Sequence, residues 1–444
     1  MSSSANRERV AIEMRVTARH LFERALAEAS IDRAFERHVE CERGVLRVRE
    51  DLYPLDSYNR VLVIAIGKAA HSMVNALEMQ AGSRFAGIVA SSVEPVSQVR
   101  GFRYFRGGHP TPNAESVRSA EAMLKSLRTL NASSLAIFLL SGGGSSICEK
   151  LADDEISLDD LIATYRALVH SGAPIAEINT VRKHLSAVKG GRLALAASGA
   201  LQVSLLVSDV PDNTPDALAS GPTMPDSTSL EDCYAVVQKY GLREQFPASV
   251  REWFDRHALD ETPKSDDPAF VRARWWTLLS NASLLDEVTK EAQRQGFKVE
   301  VDNSCDDWDY VAAADYLLER VRRLKEKEKE LRVCLISGGE VTVKVTNGGT
   351  GGRNQQFALA CAQKIAGENI TVLSAGTDGI DGNSSATGAV VDGTTIARAQ
   401  ARRLDAEAHL RGFNAYPFFD ALGDAIVSGP TGNNLRDLRV LLAY

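Results

Sequence analysis

One repeated pattern constrains the fold more than any other feature: a short aliphatic run, then a loop of glycine, serine, aspartate or basic residues, then a helical stretch. Residues 61–66 (VLVIAI) run into Gly67-Lys68, residues 135–140 (LAIFLL) into residues 141–146, and residues 203–207 into Ser208-Asp209. The pattern resumes at 333–336 before 337–340 and at 371–373 before 374–381. Strands that are apolar throughout and alternate with helices indicate parallel sheets covered on both faces. An α/β protein is the expectation. A first helix starting after Ser4 and reaching Ala29 is predicted by Val10, Met14, Leu21, Phe22 and Ala25 at helical spacing.

At 444 residues the chain exceeds one core, since single cores stop growing near ~250–300 residues. A boundary is expected at 260–268, where ETPKSDDP joins two prolines to polar turn formers. Beyond it, residues 276–280, 284–295 and 298–301 predict a new strand–helix–strand unit, and 341–345 a further β-like run. The KEKEKE stretch at 325–330 reads as the solvated end of a helix over 310–331.

With 44% apolar and 25% charged residues, the composition is that of an ordinary globular chain. A net charge of −7 gives no general attraction to nucleic acid or anionic lipid. The longest aliphatic runs are six residues, whereas a membrane span takes about 20. Nothing near Met1 has the apolar stretch of a signal peptide, and six scattered cysteines without a C-x-x-C pair suit a reducing cytoplasm.

Ligands of open α/β sheets sit beyond the carboxyl ends of the strands, so the loops after the aliphatic runs carry the candidate chemistry. Ser141, Gly142, Gly143, Gly144, Ser145 and Ser146 form a loop whose adjacent glycines let the backbone approach an anion; a plain tight turn is the alternative. A second loop, 347–356 (NGGTGGRNQQ), brings Gly351, Gly352, Arg353 and Asn354 to the start of a helix, where a guanidinium can grip phosphate or carboxylate. Lys68 stands at another helix start and can bridge phosphates as a point charge. Neither the Walker nor the dinucleotide fingerprint is present. Acidic candidates for a base or a Mg²⁺ ligand are Asp209 in SDVPD, Glu340 in SGGE, and Asp378 and Asp381 in GTDGIDG; turn or cap roles are the alternative. Arg182, Ser186 and Lys189 share a helical face as a plausible anion-facing strip, with a solvated face as the other reading. His109, in a proline-containing turn, reads more readily as structural.

At these residues the chain resembles the class II glycerate kinases, whose C-terminal region is called the MOFRL domain. The matching stretches, in order, are IGKAA, GGHPTPN, SGGGSS, NTVRKHLSAVKGGRLA, SDVPDN with SGPT, ISGGEVTV, GGRNQQFALA, AGTDGIDG and GPTGNN. The resemblance implies a Rossmann-like large domain with a parallel sheet over 1–262, with about 415–444 as a candidate to return to it. A smaller α/β domain of MOFRL type would cover 268–414, with the active site in the interdomain cleft. It further implies transfer of the ATP γ-phosphate to D-glycerate with Mg²⁺, giving 2-phosphoglycerate. Lys68 and Arg353 become catalytic cations, and the SGGGSS loop holds nucleotide phosphates or the glycerate carboxylate. Asp209 is the preferred base or metal ligand. The chain departs from the family at Asn433-Asn434-Leu435-Arg436, which puts the role of Asn433 in question.

The expected ligands are therefore small molecules, D-glycerate and ATP with Mg²⁺, with no nucleic acid or membrane partner and with a homodimer open. Hydroxypyruvate reductase and a non-catalytic sugar-acid or nucleotide sensor are the competing readings. The missing dinucleotide fingerprint counts against the first, and the paired cations with several acidic loops exceed what the second requires.

Overall fold

A computed structural model describes residues 3–346 and 348–444, with side chains from Arg7 onward. Asn347, which opens the second glycine loop, lies outside the described residues. The chain divides into two compact units, one of Ile31–Leu278 and one joining the segment that ends at Ser30 to Leu279–Tyr444.

The Ile31–Leu278 unit is built on a six-stranded sheet of β1 (Arg60–Ile66), β2 (Ala86–Ser91), β3 (Phe102–Arg106), β4 (Ser134–Ser141), β5 (Leu201–Val207) and β6 (Ala273–Leu279). Their spatial order is β3-β2-β1-β4-β5-β6, and the ladders from β3 to β5 are parallel. This is the doubly wound Rossmann-like order, whose direction reverses between β1 and β4. Every residue of β4 is buried, as its uninterrupted aliphatic sequence requires. Leu62, Ile64 and Ile66 share one core with Ala136, Phe138 and Leu140. A small antiparallel meander, Val39–Glu42, Val45–Val48 and Asp51–Pro54, precedes β1.

The second unit has its own six-stranded sheet: β7 (Lys298–Val301), β8 (Val333–Gly339), β9 (Ile370–Gly376), β10 (Gly388–Asp392), β11 (Ala425–Ile426) and β12 (Asp437–Ala443). Its order is β7-β8-β12-β9-β10-β11. The parallel expectation fails here. Only β7 and β8 are parallel, because the final strand β12 inserts between β8 and β9 and runs antiparallel to both.

The domain boundaries are corrected accordingly. Residues 415–444 do not return to the larger unit, since β12 is buried throughout at the centre of the second sheet. The helix Ser3–Glu28 also joins that unit, burying Met14, Ala18, Leu21, Phe22 and Ala25 as it packs on the helix Asn281–Arg294 and on β9. The boundary lies after Leu278, not at 260–268, because β6 adds to the edge of the first sheet and does not open a new unit. Residues 341–345 form no strand; an isolated bridge between Asp309 and Thr342 is their β pairing. Among the described residues no helix is long and apolar enough to cross a membrane.

If the first helix completes the second core, Phe22→Ala should cost about 3–5 kcal/mol in the unit that holds it. Amide exchange should accelerate in β9 and remain slow in β4, as read by hydrogen–deuterium exchange.

Candidate active site

The strand order of the first sheet decides what meets what. Gly67-Lys68 leaves β1 and the 141–146 loop leaves β4, so both emerge where the order reverses, the usual ligand position in such sheets. The loops are stitched together: Lys68 N–H donates to the Gly142 carbonyl (2.9 Å), and Ala69 N–H donates to Ser141 Oγ (3.1 Å). Lys68 itself is exposed. Ser141, Gly142, Gly144 and Ser146 are buried, whereas Gly143 and Ser145 are partly exposed.

Glycine is required at two of these positions for different reasons. Gly143 has φ +80°, the left-handed region, and a Cβ there would lie 3.0 Å from His109 Cδ2 and 3.1 Å from Lys68 Cγ. A Cβ on Gly142 would fall 1.9 Å from Asp209 Oδ2. Lys68, His109 and the half-buried Asp209 thus surround the glycine loop. His109, read as a turn residue, belongs to this cluster: burial and then the Lys68 charge lower its pKa from the ordinary histidine value. Ala219 and Ser220 adopt left-handed backbone (φ 52° and 61°), a conformation that costs non-glycine residues roughly 1–3 kcal/mol. It sets the Ser220 hydroxyl 2.9 Å from that of Ser145.

The basic strip is not one face. The helix Ile175–Leu185 ends before Ser186, which is extended. Lys189 is 1% exposed and points inward, forming an ion pair with Glu149 and donating to Tyr165 Oη at 3.0 Å. Glu149 also accepts hydrogen bonds from Ser186 and Tyr165. Burial pushes the Lys189 pKa well below the ordinary lysine value. Lys189 is therefore a structural ion-pair member and not an anion-facing group, while Arg182, half-buried, remains available.

In the second unit Glu340, Gly351, Gly352, Arg353, Asn354, Asp378 and Asp381 line one cavity of about 710 Å³. Arg353 opens the helix Arg353–Lys364 and is held by Glu340 (2.7 Å) and by Asp437 through Nε (2.7 Å) and a second nitrogen (3.1 Å). Burial disfavours its charge, but Asp437 and Glu340 outweigh this and raise its pKa above the ordinary arginine value. Burial raises the Glu340 pKa, against the pull of Arg353.

Asp437 was not among the sequence candidates; the turn from GPTGNN into β12 carries no chemical signature. Arg436 nearby pairs with Asp306 (2.7 and 2.6 Å), and Asn433 donates to the Ala29 carbonyl (3.1 Å), which gives that departure from the family pattern a structural role.

Asp381 does not fit the metal-ligand expectation. It is buried and accepts the backbone N–H groups of Asn354 (3.0 Å) and Gln355 (2.9 Å), so it caps the helix that Arg353 begins. Asn354 is likewise 1% exposed and bonded to Asp381 and Ser374, so it shapes the cavity wall more than it offers a free donor. Asp378 is exposed, its Oδ1 accepting from Ile380 N–H (3.1 Å) in a local turn.

Comparison with known proteins gives the family. Residues 17–255 match a family model described as a domain of unknown function, DUF4147, and residues 333–437 match the MOFRL family. A D-glycerate 2-kinase from Thermotoga maritima is 35% identical, covering 88% of this chain and 93% of its own length. This chain belongs to the class II glycerate kinase family. A glycerate 2-kinase from Pyrococcus horikoshii is 34% identical over 86% of this chain and 87% of its own. A crystal structure of a glycerate kinase from Thermotoga maritima superposes with a TM-score of 0.85 at 33% identity, covering 97% of this chain and all of the other.

Two outcomes follow for this family member. Lys189→Ala should cost about 3–5 kcal/mol in urea unfolding, because it strands Glu149 inside the protein. Asp381 has its pKa raised from 3.8 to about 6, chiefly by burial, with the Gln355 and Asn354 amides opposing. The folded state therefore holds this proton more tightly than the unfolded chain. Its contribution to stability is full below about pH 4 and fades as pH rises through about 6. Asp381→Asn should remove about 2–3 kcal/mol of that pH dependence, measured as unfolding free energy across this window.

Proposed function

We propose that the chain transfers the γ-phosphoryl group of ATP to the 2-hydroxyl of D-glycerate, giving 2-phosphoglycerate and ADP. The observation that carries this reading is the cluster of Lys68, the Gly142-Gly143 backbone and Asp209 at the switch point of the parallel sheet. An exposed ammonium over a glycine loop suits a transferring phosphoryl group, and a carboxylate beside it suits the acceptor hydroxyl. The glycerate kinase names of the relatives that match along most of the chain support the same substrate class.

In the proposed reaction the acceptor oxygen attacks the γ-phosphorus, the bond to the ADP oxygen breaks, and the hydroxyl proton passes to Asp209. Lys68 offsets charge on the phosphoryl oxygens, so positioning and electrostatics supply most of the acceleration. Mg²⁺ binds through one or two carboxylates together with substrate phosphates. Asp209, beside Lys68 and the glycine loop, fits that donor chemistry; Glu340 is engaged by Arg353 and Asp381 by its helix. When bound, the ion would neutralise phosphate charge. The free state of all six cysteines fits a cytoplasmic setting.

Supplying ATP, Mg²⁺ and D-glycerate should release ADP, and carbon-resolved NMR should place phosphate on the 2-hydroxyl. Oxidation of NADH with hydroxypyruvate and no ADP release would overturn the reading in favour of a reductase. Lys68→Ala should lower kcat on the order of 100-fold or more with an unchanged melting temperature, since the side chain is exposed. Arg353→Ala should lose both turnover and stability, because it leaves Asp437, 1% exposed, without its main partner.

A further inference from the structure

The segment that contains Arg182 treats its cations unequally. Lys183 is paired with Asp216 (2.9 Å) and Asp226 (3.1 Å), and Lys189 with Glu149. Arg182, between them, has no carboxylate or hydrogen-bond partner among the described residues, and its Nε is buried and unbonded. Its guanidinium lies over the ring of Tyr165, 4.7 Å from the centroid. Burial lowers its pKa, with Tyr165 the opposing group. A partly desolvated guanidinium without a counter-charge is costly, so its presence points to an anion supplied from outside the chain.

The surroundings define that anion. Tyr165 cannot drift, because its hydroxyl is bonded to both Glu149 and Lys189, so the platform under Arg182 is rigid. One turn earlier on the same helix, Asn179 Oδ1 accepts from Ser220 Oγ (3.4 Å), and Ser220 Oγ lies 2.9 Å from Ser145 Oγ in the triple-glycine loop. Arg182 is thus tied through its helix to the loop that carries the Lys68 cluster. The site offers one uncompensated positive charge in a planar fork stacked on a tyrosine ring. That matches a single carboxylate, gripped by two parallel hydrogen bonds, better than a polyphosphate, whose several charges call for several cations.

We infer that Arg182 is the residue that binds the carboxylate of the hydroxy-acid substrate, stacked on Tyr165, and that it selects acids over neutral polyols and amides. Ser220, bonded to Asn179 of the same helix, and Ser145, bonded to Ser220, are the hydroxyls offered to the substrate. The inference rests on the kinase reading above and gives that reading its basis for acceptor choice.

Its test compares D-glycerate with its neutral amide, glyceramide, at saturating ATP and Mg²⁺ in the full-length protein. In Arg182→Ala the KM for D-glycerate should rise on the order of 100-fold, and the preference for D-glycerate over glyceramide should fall by a similar factor. The KM for ATP should stay as in the parent. Arg182→Lys keeps the charge and loses the fork and the stacking, so it should fall between the two and serves if the alanine variant folds poorly. Equal losses for both acceptors, with the preference intact, would mean a structural role and overturn the inference. A rise in KM for ATP alone would make Arg182 a nucleotide contact and overturn it as well. Calorimetric titration of D-glycerate without ATP separates this inference from the kinase reading. Parent protein that binds D-glycerate through Arg182 yet phosphorylates nothing would defeat the proposed function alone. Equal binding by parent and Arg182→Ala would defeat the inference alone.

Discussion

The parallel pairing of β1 with β4, register Arg60 to Ser134 through Ile66 to Leu140, is the constraint on which the rest of the first unit depends. It brings two strands that are distant in sequence side by side at the point where the sheet order reverses. The loops that follow them must then share one space. They do so by backbone bonding between Lys68 and Gly142, which leaves no room for a side chain on Gly142 beneath Asp209. The glycines that suggest phosphate binding are thus also demanded by packing. Both reasons act on the same residues, and neither removes the other.

Charge is handled differently in the two units. In the first, the buried lysines Lys183 and Lys189 are neutralised by carboxylates of the same unit, Arg182 has none among the described residues, and Lys68 is left in solvent. In the second, Arg353 already has two carboxylates on it, Glu340 and Asp437; Arg439 stands near the same Asp437, and Arg436 pairs with Asp306. A preformed ionic lattice of this kind fixes a guanidinium in place while damping its net charge. Lys68 is therefore the mobile point charge and Arg353 the fixed one, a difference that follows from exposure and pairing and not from residue type.

Much of the candidate site was legible in the sequence, because loops at the ends of aliphatic strands announce themselves through composition. The 141–146 loop, Lys68, Asp209, Arg353 and Asp378 all lie at strand ends or helix starts as expected. Lys189 and Asp381 were misread for a common reason. A buried lysine paired with glutamate looks, in sequence, like an exposed one, and an aspartate that caps a helix far along the chain looks like a free carboxylate. His109 gives no signal in the sequence, because its neighbour in space, Lys68, is not its neighbour in sequence.

Sequence by itself determined the strand–loop–helix grammar, the positions of the glycine-rich loops and the family, since these depend on local periodicity and on short motifs in order. Tertiary structure alone decided that β12 inserts at the centre of the second sheet, that the first helix packs with the C-terminal part of the chain, and that Asp437 holds Arg353. It also decided which cations lack a partner. Those outcomes are set by pairing and burial between residues hundreds of positions apart, and no local pattern records whether a charge has met its counter-charge.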